Sequence, residues 1–250
     1  MVGRTAVDEA LRYGSEWGWP VLPGVGLKVR GGDAGQAVRT GGRRPARWWT
    51  ALTARRTSDP GTALAAAGGD GLPGVVACAC PDPECVVPGA HPLDPGLLAA
   101  TTDARMIGWW WGRRPDAPVL LATGGRAPCA VSLPAVAGGP ALDALDALGM
   151  RLGPVVATPT RWAILVAPYG LERLGDLLYA KDSVPSSLRF HSEGGYLPLP
   201  PSTTGTGRVR WERAPLEGSA RPWLPDVEAV VDALVEASTS APGGGSRLAY

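Results

Sequence analysis

Apolar residues come in short blocks along this chain, some at helical spacing and others at strand spacing, with Gly or Pro between most of them. Residues 6–17 place Ala6, Ala10, Leu11 and Trp17 on one side of a helix, which Gly18-Trp19-Pro20 ends. Val21 and Leu22 begin a short strand. Residues 27–70 are rich in Gly, Arg and Ala and read as a flexible excursion, with one helix near 48–55. Thr102 or Asp103 is placed to cap a helix running to about Arg113, through Trp109, Trp110 and Trp111. Residues 119–122 form an apolar strand turned by Gly124-Gly125, and 129–133 form a second.

Further along, residues 140–150 space Leu142, Leu145 and Leu148 for burial on a helix. Strands at 155–158 and 163–166 flank Pro159-Thr160-Arg161-Trp162, the pattern of a hairpin. A helix follows at 171–178. Strands at 188–191 and 196–199 bracket Ser192-Glu193-Gly194-Gly195, a second hairpin signal. A strand at 209–211 and a helix at 225–237, with Val227, Val230, Val231, Leu234 and Val235 on one face, complete the core. From Ser238 onward the composition predicts a disordered tail. The mixture of helices and strands indicates an α+β or mixed α/β fold, taken as α+β and read as a single domain over 1–237.

Composition narrows this picture. The 45% apolar content supports a globular core, while 35 Gly and 26 Pro favour short elements joined by many loops. No window approaches the roughly 20 apolar residues of a membrane span, and the N-terminal residues lack an apolar leader core, so a cytoplasmic protein without a membrane partner is expected. The net charge of +1 excludes a strong global field. Charge is nevertheless concentrated between Lys28 and Arg56, where eight basic residues and one acid, Asp33, accompany Trp48-Trp49. Such a stretch can track a nucleic-acid backbone or serve as a solvated loop.

Three of the four cysteines cluster. Cys78, Cys80, Cys85 and His91 give the spacing C-x-C-x4-C-x5-H, interrupted by Pro81, Pro83, Pro88 and Gly89, which favour tight turns. Three thiolates and an imidazole suit a closed tetrahedral zinc site, structural because no position is left for water. The alternative is a loop of reduced thiols beside a surface His. Cys129, in a strand, reads as apolar filler. Thr123, Gly124, Gly125 and Arg126 form a turn that can approach phosphate through backbone N–H groups, or a plain β-turn. The three tryptophans cannot share one side of a helix, since neighbours are about 100° apart. Trp110 is the candidate for stacking on a base, and Arg113 with Arg114 can contact phosphate or complement the helix dipole.

Several of these segments together resemble one family. Ala100-Thr101-Thr102-Asp103, Ile107, Trp109-Trp110 and the run 113–124 (RRPDAPVLLATG) are similar to the N-terminal half of the bifunctional DNA primase/polymerase (prim-pol) domain, of the archaeo-eukaryotic primase superfamily. Residues 16–23 (EWGWPVLP) resemble its opening, and 194–202 (GGYLPLPPS) with Gly207 and Arg210-Trp211 resemble its GGY…PPS hairpin. The resemblance covers about 6–225, leaving out 27–70. It implies a primase-polymerase-like core with an RRM-like antiparallel or mixed sheet, to which the zinc knuckle read at 78–91 would be an insertion. It also implies strand synthesis from nucleoside triphosphates, using an Asp-x-Asp, a His and a third acid to hold divalent metal.

The acids are missing here. Ser132 and Pro134 stand where the Asp-x-Asp is expected, and no Asp or Glu occurs between Arg126 and Pro140. Thr158-Pro159 is followed by Thr160 and Arg161 rather than a His. Arg189 stands near the third acid, with His191 beside it as a candidate ligand contact. The expectation is therefore a catalytically impaired domain that binds nucleic acid or nucleotide in an accessory or regulatory role, with structural zinc and without Mg²⁺ or Mn²⁺. Two alternatives stay open: an active polymerase drawing on Asp143, Asp146 or Glu193, and a protein-interaction module with a protein partner and no ligand.

Overall fold

The computed structural model of the chain describes residues 5–30 and 75–240. The chain divides into two compact units, one of residues 1–28 with 77–250 and the other of residues 29–76. The expected helix near 48–55, the basic stretch beyond residue 30 and the end of the expected tail lie outside the described residues.

In chain order, α1 (Ala6–Leu11) runs into a π-helical turn (Arg12–Glu16) and is followed by β1 (Val21–Pro23), β2 (Leu27–Arg30) and β3 (Val75–Cys78). A short 3-10 turn (Leu97–Ala99) precedes α2 (Ala104–Arg113), β4 (Val119–Ala122), β5 (Cys129–Pro134) and α3 (Ala135–Ala147). Then come β6 (Val155–Ala157), β7 (Arg161–Val166), α4 (Leu171–Tyr179), β8 (Arg189–His191) and β9 (Tyr196–Leu199). The last elements are β10 (Thr203–Thr204), β11 (Gly207–Arg208), β12 (Arg210–Arg213) and α5 (Val227–Ser240). The fold is α+β, with five α-helices among the described residues and antiparallel sheets.

Two sheets carry the core. The larger has the order β12-β6-β7-β5-β8, the smaller β1-β4-β9. Strand alternation gives the larger sheet two distinct faces. Cys129, Val131, Leu133, Ile164 and Val166 share one core with the inner residues of α3, α4 and α5. Ala130, Val156, Ala163 and Leu165 share the other with the smaller sheet, α1 and α2. Cys129 is fully buried, in keeping with apolar filler.

Local chemistry explains the main elements. Thr5 and Asp8 form a reciprocal capping box on α1. Asp103 caps α2, its Oδ1 accepting from Met106 N at 2.8 Å. Ile107, Trp110 and Trp111 then fall on one stripe and are buried, and the Trp111 indole donates to Ala117 O at 3.0 Å. The Pro-Pro-Ser segment ends in Ser202, whose buried hydroxyl donates to Leu199 O at 2.5 Å and accepts from Val119 N at 2.8 Å, joining β9 to β4.

Four expectations change. Strand β2 occupies residues expected to begin the flexible excursion. The segments 188–191 and 196–199 do not pair as a hairpin: β8 joins β5 in the larger sheet and β9 joins β4 in the smaller. The Ser192–Gly195 turn is real, with Gly195 N bonding Ser192 O at 3.1 Å, but it carries the chain from one sheet to the other. Helix α3 starts at Ala135 rather than 140, running through Gly138, Gly139 and Pro140. Gly138 is required there because a Cβ would lie 2.3 Å from the Trp162 ring. Finally, α5 extends to Ser240, past the expected start of the tail.

Candidate functional site

Strand register brings the chemistry-bearing residues together. On β5, Ser132 lies opposite Ala163 of β7 on one side and Arg189 of β8 on the other, while Pro134 lies opposite Arg161 and Ala130 opposite His191. Paired residues in a sheet project to the same face. Ser132, Pro134, Arg161, Arg189 and His191 therefore belong to the face turned away from α3, α4 and α5.

The centre is a polar network around Ser132, which is only 2% exposed. Arg161 Nε donates to Ser132 Oγ at 3.2 Å, and Nη2 donates to Ser132 O at 2.7 Å and Ser187 O at 2.8 Å. The guanidinium is thus fixed, while Nη1 donates to no described residue. Ser132 Oγ also lies 3.0 Å from His191 Nε2. Arg189 is exposed and makes no ion pair among the described residues. No residue of β5, β7 or β8 is acidic. Asp143 and Asp146 lie on α3, which packs on the opposite face of the sheet, and Asp146 is paired with Arg213 at 2.6 Å. Glu193 is exposed in the turn after β8.

Burial, and then the positive charge of Arg161, hold His191 below the usual imidazole range, against a raising bond to the Tyr196 backbone; Arg189 adds a further lowering. Burial and then Arg189 also pull Arg161 down. With a neutral imidazole, the arrangement that satisfies every group has the Ser132 hydroxyl donating to Nε2. The folded-state pKa of His191 lies below its unfolded value of about 6.5, so its contribution to stability is present above that value. It is lost as pH falls through the lower folded-state pKa. Ligand-free protein is expected to lose thermal stability below about pH 6.5, and His191→Gln to lack that portion of the loss. Superimposable pH profiles of the two proteins in thermal melts would contradict this.

The glycine turn behaves differently from a phosphate cradle. Thr123 N bonds Gly195 O at 3.0 Å and Gly124 N bonds Pro128 O at 3.4 Å, while Thr123 Oγ1 donates to Ser192 O at 2.6 Å. Gly124 has φ +94, and a Cβ there would fall 2.4 Å from Glu193 Cα. The two glycine turns interlock, which commits the N–H groups of Thr123 and Gly124 to the protein. Only Gly125 and exposed Arg126 retain N–H groups without a partner among the described residues.

Cys78, Cys80, Cys85 and His91 form a second centre, with ligand atoms all within 4.8 Å of one another. Four ligands about 2.0–2.3 Å from a tetrahedral metal would be separated by roughly 3.3–3.8 Å, so the cluster needs little contraction to hold an ion. Cys78 Sγ already stands 3.4 Å from His91 Nε2. His91 Nδ1 faces Pro92 O at 3.0 Å, which orients Nε2 toward the thiols in the way a backbone carbonyl fixes the ring of a metal-bound histidine. Burial raises the Cys78 thiol, but bonds from the Cys80 and Gly89 backbone, the Cys80 side chain and His91 outweigh it and bring the pKa to about 6. The loop is tied to residues 25–26 by Val25 N to His91 O at 2.9 Å and Ala79 N to Gly26 O at 3.0 Å.

Of the tryptophans, Trp110 is 6% exposed and sits in the core, whereas Trp109 is 53% exposed with the Arg113 guanidinium 4.3 Å above its ring. The stacking candidate expected at Trp110 therefore moves to Trp109. The stripe Ile107, Trp110, Trp111 was the available signal, since it leaves Trp109 outside the apolar face.

The family model for the bifunctional DNA primase/polymerase N-terminal domain matches residues 10–227, spanning both sheets and the cluster around Ser132. The chain belongs to the Prim-Pol family. No curated protein and no solved structure matches it. Within this Prim-Pol chain the segments that carry the likeness have structural work: Ser202 joins β9 to β4, and Gly195 and Gly124 interlock two turns. No helix of the described residues is long and apolar enough to cross a membrane.

Proposed function

We propose that this Prim-Pol chain holds a phosphate group of a nucleotide or nucleic-acid strand directly on Arg161, Arg189 and His191, and does not carry out metal-dependent strand synthesis. The observation that supports this is the cluster itself: the Arg161 guanidinium and the His191 imidazole meet at Ser132, Arg189 pairs with it across the sheet, and their strands contain no carboxylate. A divalent cation placed there would meet positive charge without compensating oxygens. A phosphate would meet a fixed fork at Arg161 with Nη1 free, together with the unpaired Arg189. The domain would then serve as an accessory binding element on a primase-polymerase core with an RRM-like sheet, read as one domain over 1–237 with 27–70 as an insertion.

The same reading takes the ion at Cys78, Cys80, Cys85 and His91 to be zinc, since a Cys₃His set is a soft, closed, tetrahedral donor set. Its role would be to fix the loop between β3 and α2.

A templated primer-extension assay tests the catalytic part. With Mg²⁺ or Mn²⁺, a primed template and deoxynucleoside triphosphates, incorporation is expected not to exceed a protein-free control. Extension that co-purifies with the protein and is abolished by Asp143→Asn, Asp146→Asn or Glu193→Gln would establish the active alternative instead.

A further inference from the structure

At the C-terminal end of α2, Trp109, Trp110, Arg113 and Arg114 line a cavity of about 320 Å³ together with Asp94 and Pro95. That volume is at the lower end of the ~300–1,000 Å³ range of small-ligand sites and is adequate for a single base. The contents of the wall are unusual for a plain surface depression. Trp109 is 53% exposed, although an indole of that size is ordinarily covered. The Arg113 guanidinium carbon stands 4.3 Å from its ring centroid, giving a cationic, aromatic platform. Arg113, Arg114 and Asp94 make no ion pair among the described residues, so none of the three charges is neutralised by a neighbour.

We infer that this cavity is a binding subsite for one unpaired nucleotide of a single strand. The base stacks on Trp109, as bases stack on exposed aromatic rings in single-strand-binding proteins. Arg114, with Arg113 where it is displaced from the ring, meets the backbone phosphates as charge-assisted donors. Asp94 accepts from base N–H groups and disfavours a second phosphate inside the cavity. A paired base, stacked on both faces, cannot offer its ring to Trp109, so the site discriminates against duplex. The residues involved lie on α2 and on the segment before it, not on β5, β7 or β8, so the inference does not depend on the phosphate reading of the Ser132 cluster.

Fluorescence anisotropy with a labelled oligonucleotide of about 12 nucleotides tests it, as DNA and as RNA, at low salt and beside a blunt duplex of the same sequence. The expected result is single-strand binding that weakens with salt, exceeds duplex binding, and falls about tenfold in Trp109→Ala, the scale of one lost base stack. Arg114→Ala should also weaken it, with a shallower salt slope. Trp109 is exposed and Arg114 half-buried, neither belongs to the hydrophobic core, and thermal melts of the variants should match the parent. Nucleoside triphosphate binding, measured in parallel, should be unchanged in Trp109→Ala and reduced in Arg189→Ala. Wild-type protein that binds no single strand, binds duplex equally well, or binds identically after Trp109→Ala would overturn the subsite. Single-strand binding lost in Arg189→Ala but untouched by both α2 variants would place the strand on the central cluster alone and overturn it as well. Loss of triphosphate binding with Trp109-dependent strand binding retained would leave the subsite standing and defeat only the reading of the cluster.

Discussion

A Cys80→Ala chain is expected to purify without zinc, where the parent carries about one zinc per chain, and to melt at a lower temperature. Structural zinc in small peptides contributes apparent binding free energy on the order of 10 kcal/mol, which is an upper bound here because backbone bonds to residues 25–26 also hold the loop. The loss should be local first. Residues 78–91 would gain proteolytic sensitivity while the two-sheet core persists, since none of the four ligands belongs to the main hydrophobic clusters. Chelation of the parent should reproduce the variant, and added zinc should reverse chelation but not the substitution. Elemental analysis with limited proteolysis checks both. A metal-free parent that is as resistant as the variant would remove the zinc assignment.

Replacing Arg161 with Ala is expected to have the largest effect on phosphate binding. The change removes three donated bonds, two of them to Ser132, and leaves the Ser132 carbonyl and hydroxyl short of partners. Charged hydrogen bonds are worth about 1.5–3 kcal/mol each, so losing one to a phosphate weakens binding roughly tenfold to a hundredfold. Stability should also fall, by about 1–3 kcal/mol, because a nearly buried group loses satisfaction. Arg189→Ala separates the two effects. Arg189 is exposed and has no ion pair among the described residues, so its removal should change stability by no more than about 0.5 kcal/mol while still weakening phosphate binding. Arg161→Lys keeps the charge but not the fork, and is expected to recover little. Calorimetric titration with inorganic triphosphate and chemical denaturation read the two quantities separately.

Much of the architecture was legible because local signals and tertiary packing agree. The Asp103 cap, the apolar runs at 119–122 and 129–133 and the hairpin around Pro159-Thr160 all appear as expected. The separation of β8 and β9 was not legible. Ser192-Glu193-Gly194-Gly195 specifies a turn, but the partner of each strand depends on which sheet edge is open: β5 takes β8, and β4 takes β9. The start of α3 was hidden for a similar reason. Gly138-Gly139-Pro140 reads as a breaker until the Trp162 ring occupies the space a side chain at 138 would need.

At the candidate site, family motifs placed Ser132, Arg161 and Arg189 near one another, and register brings them together. The bond from Ser132 to His191 was not readable, because it depends on β8 pairing with β5 rather than with β9. The glycine turn reads equally as a phosphate cradle or a plain β-turn, because sequence shows conformational freedom but not which carbonyls use its N–H groups. Gly195 and Pro128 use two of them.

Arg161 and Arg189 are proposed to hold phosphate where the family resemblance implies a His and a metal-holding acid. Equilibrium binding of a nucleoside triphosphate in EDTA, compared with the same titration in Mg²⁺, tests it most directly. Binding in EDTA is expected to be at least as tight as in Mg²⁺, since free phosphate oxygens suit Arg161 and Arg189 better than oxygens already engaged by a cation. Binding that appears only when Mg²⁺ is present would contradict it.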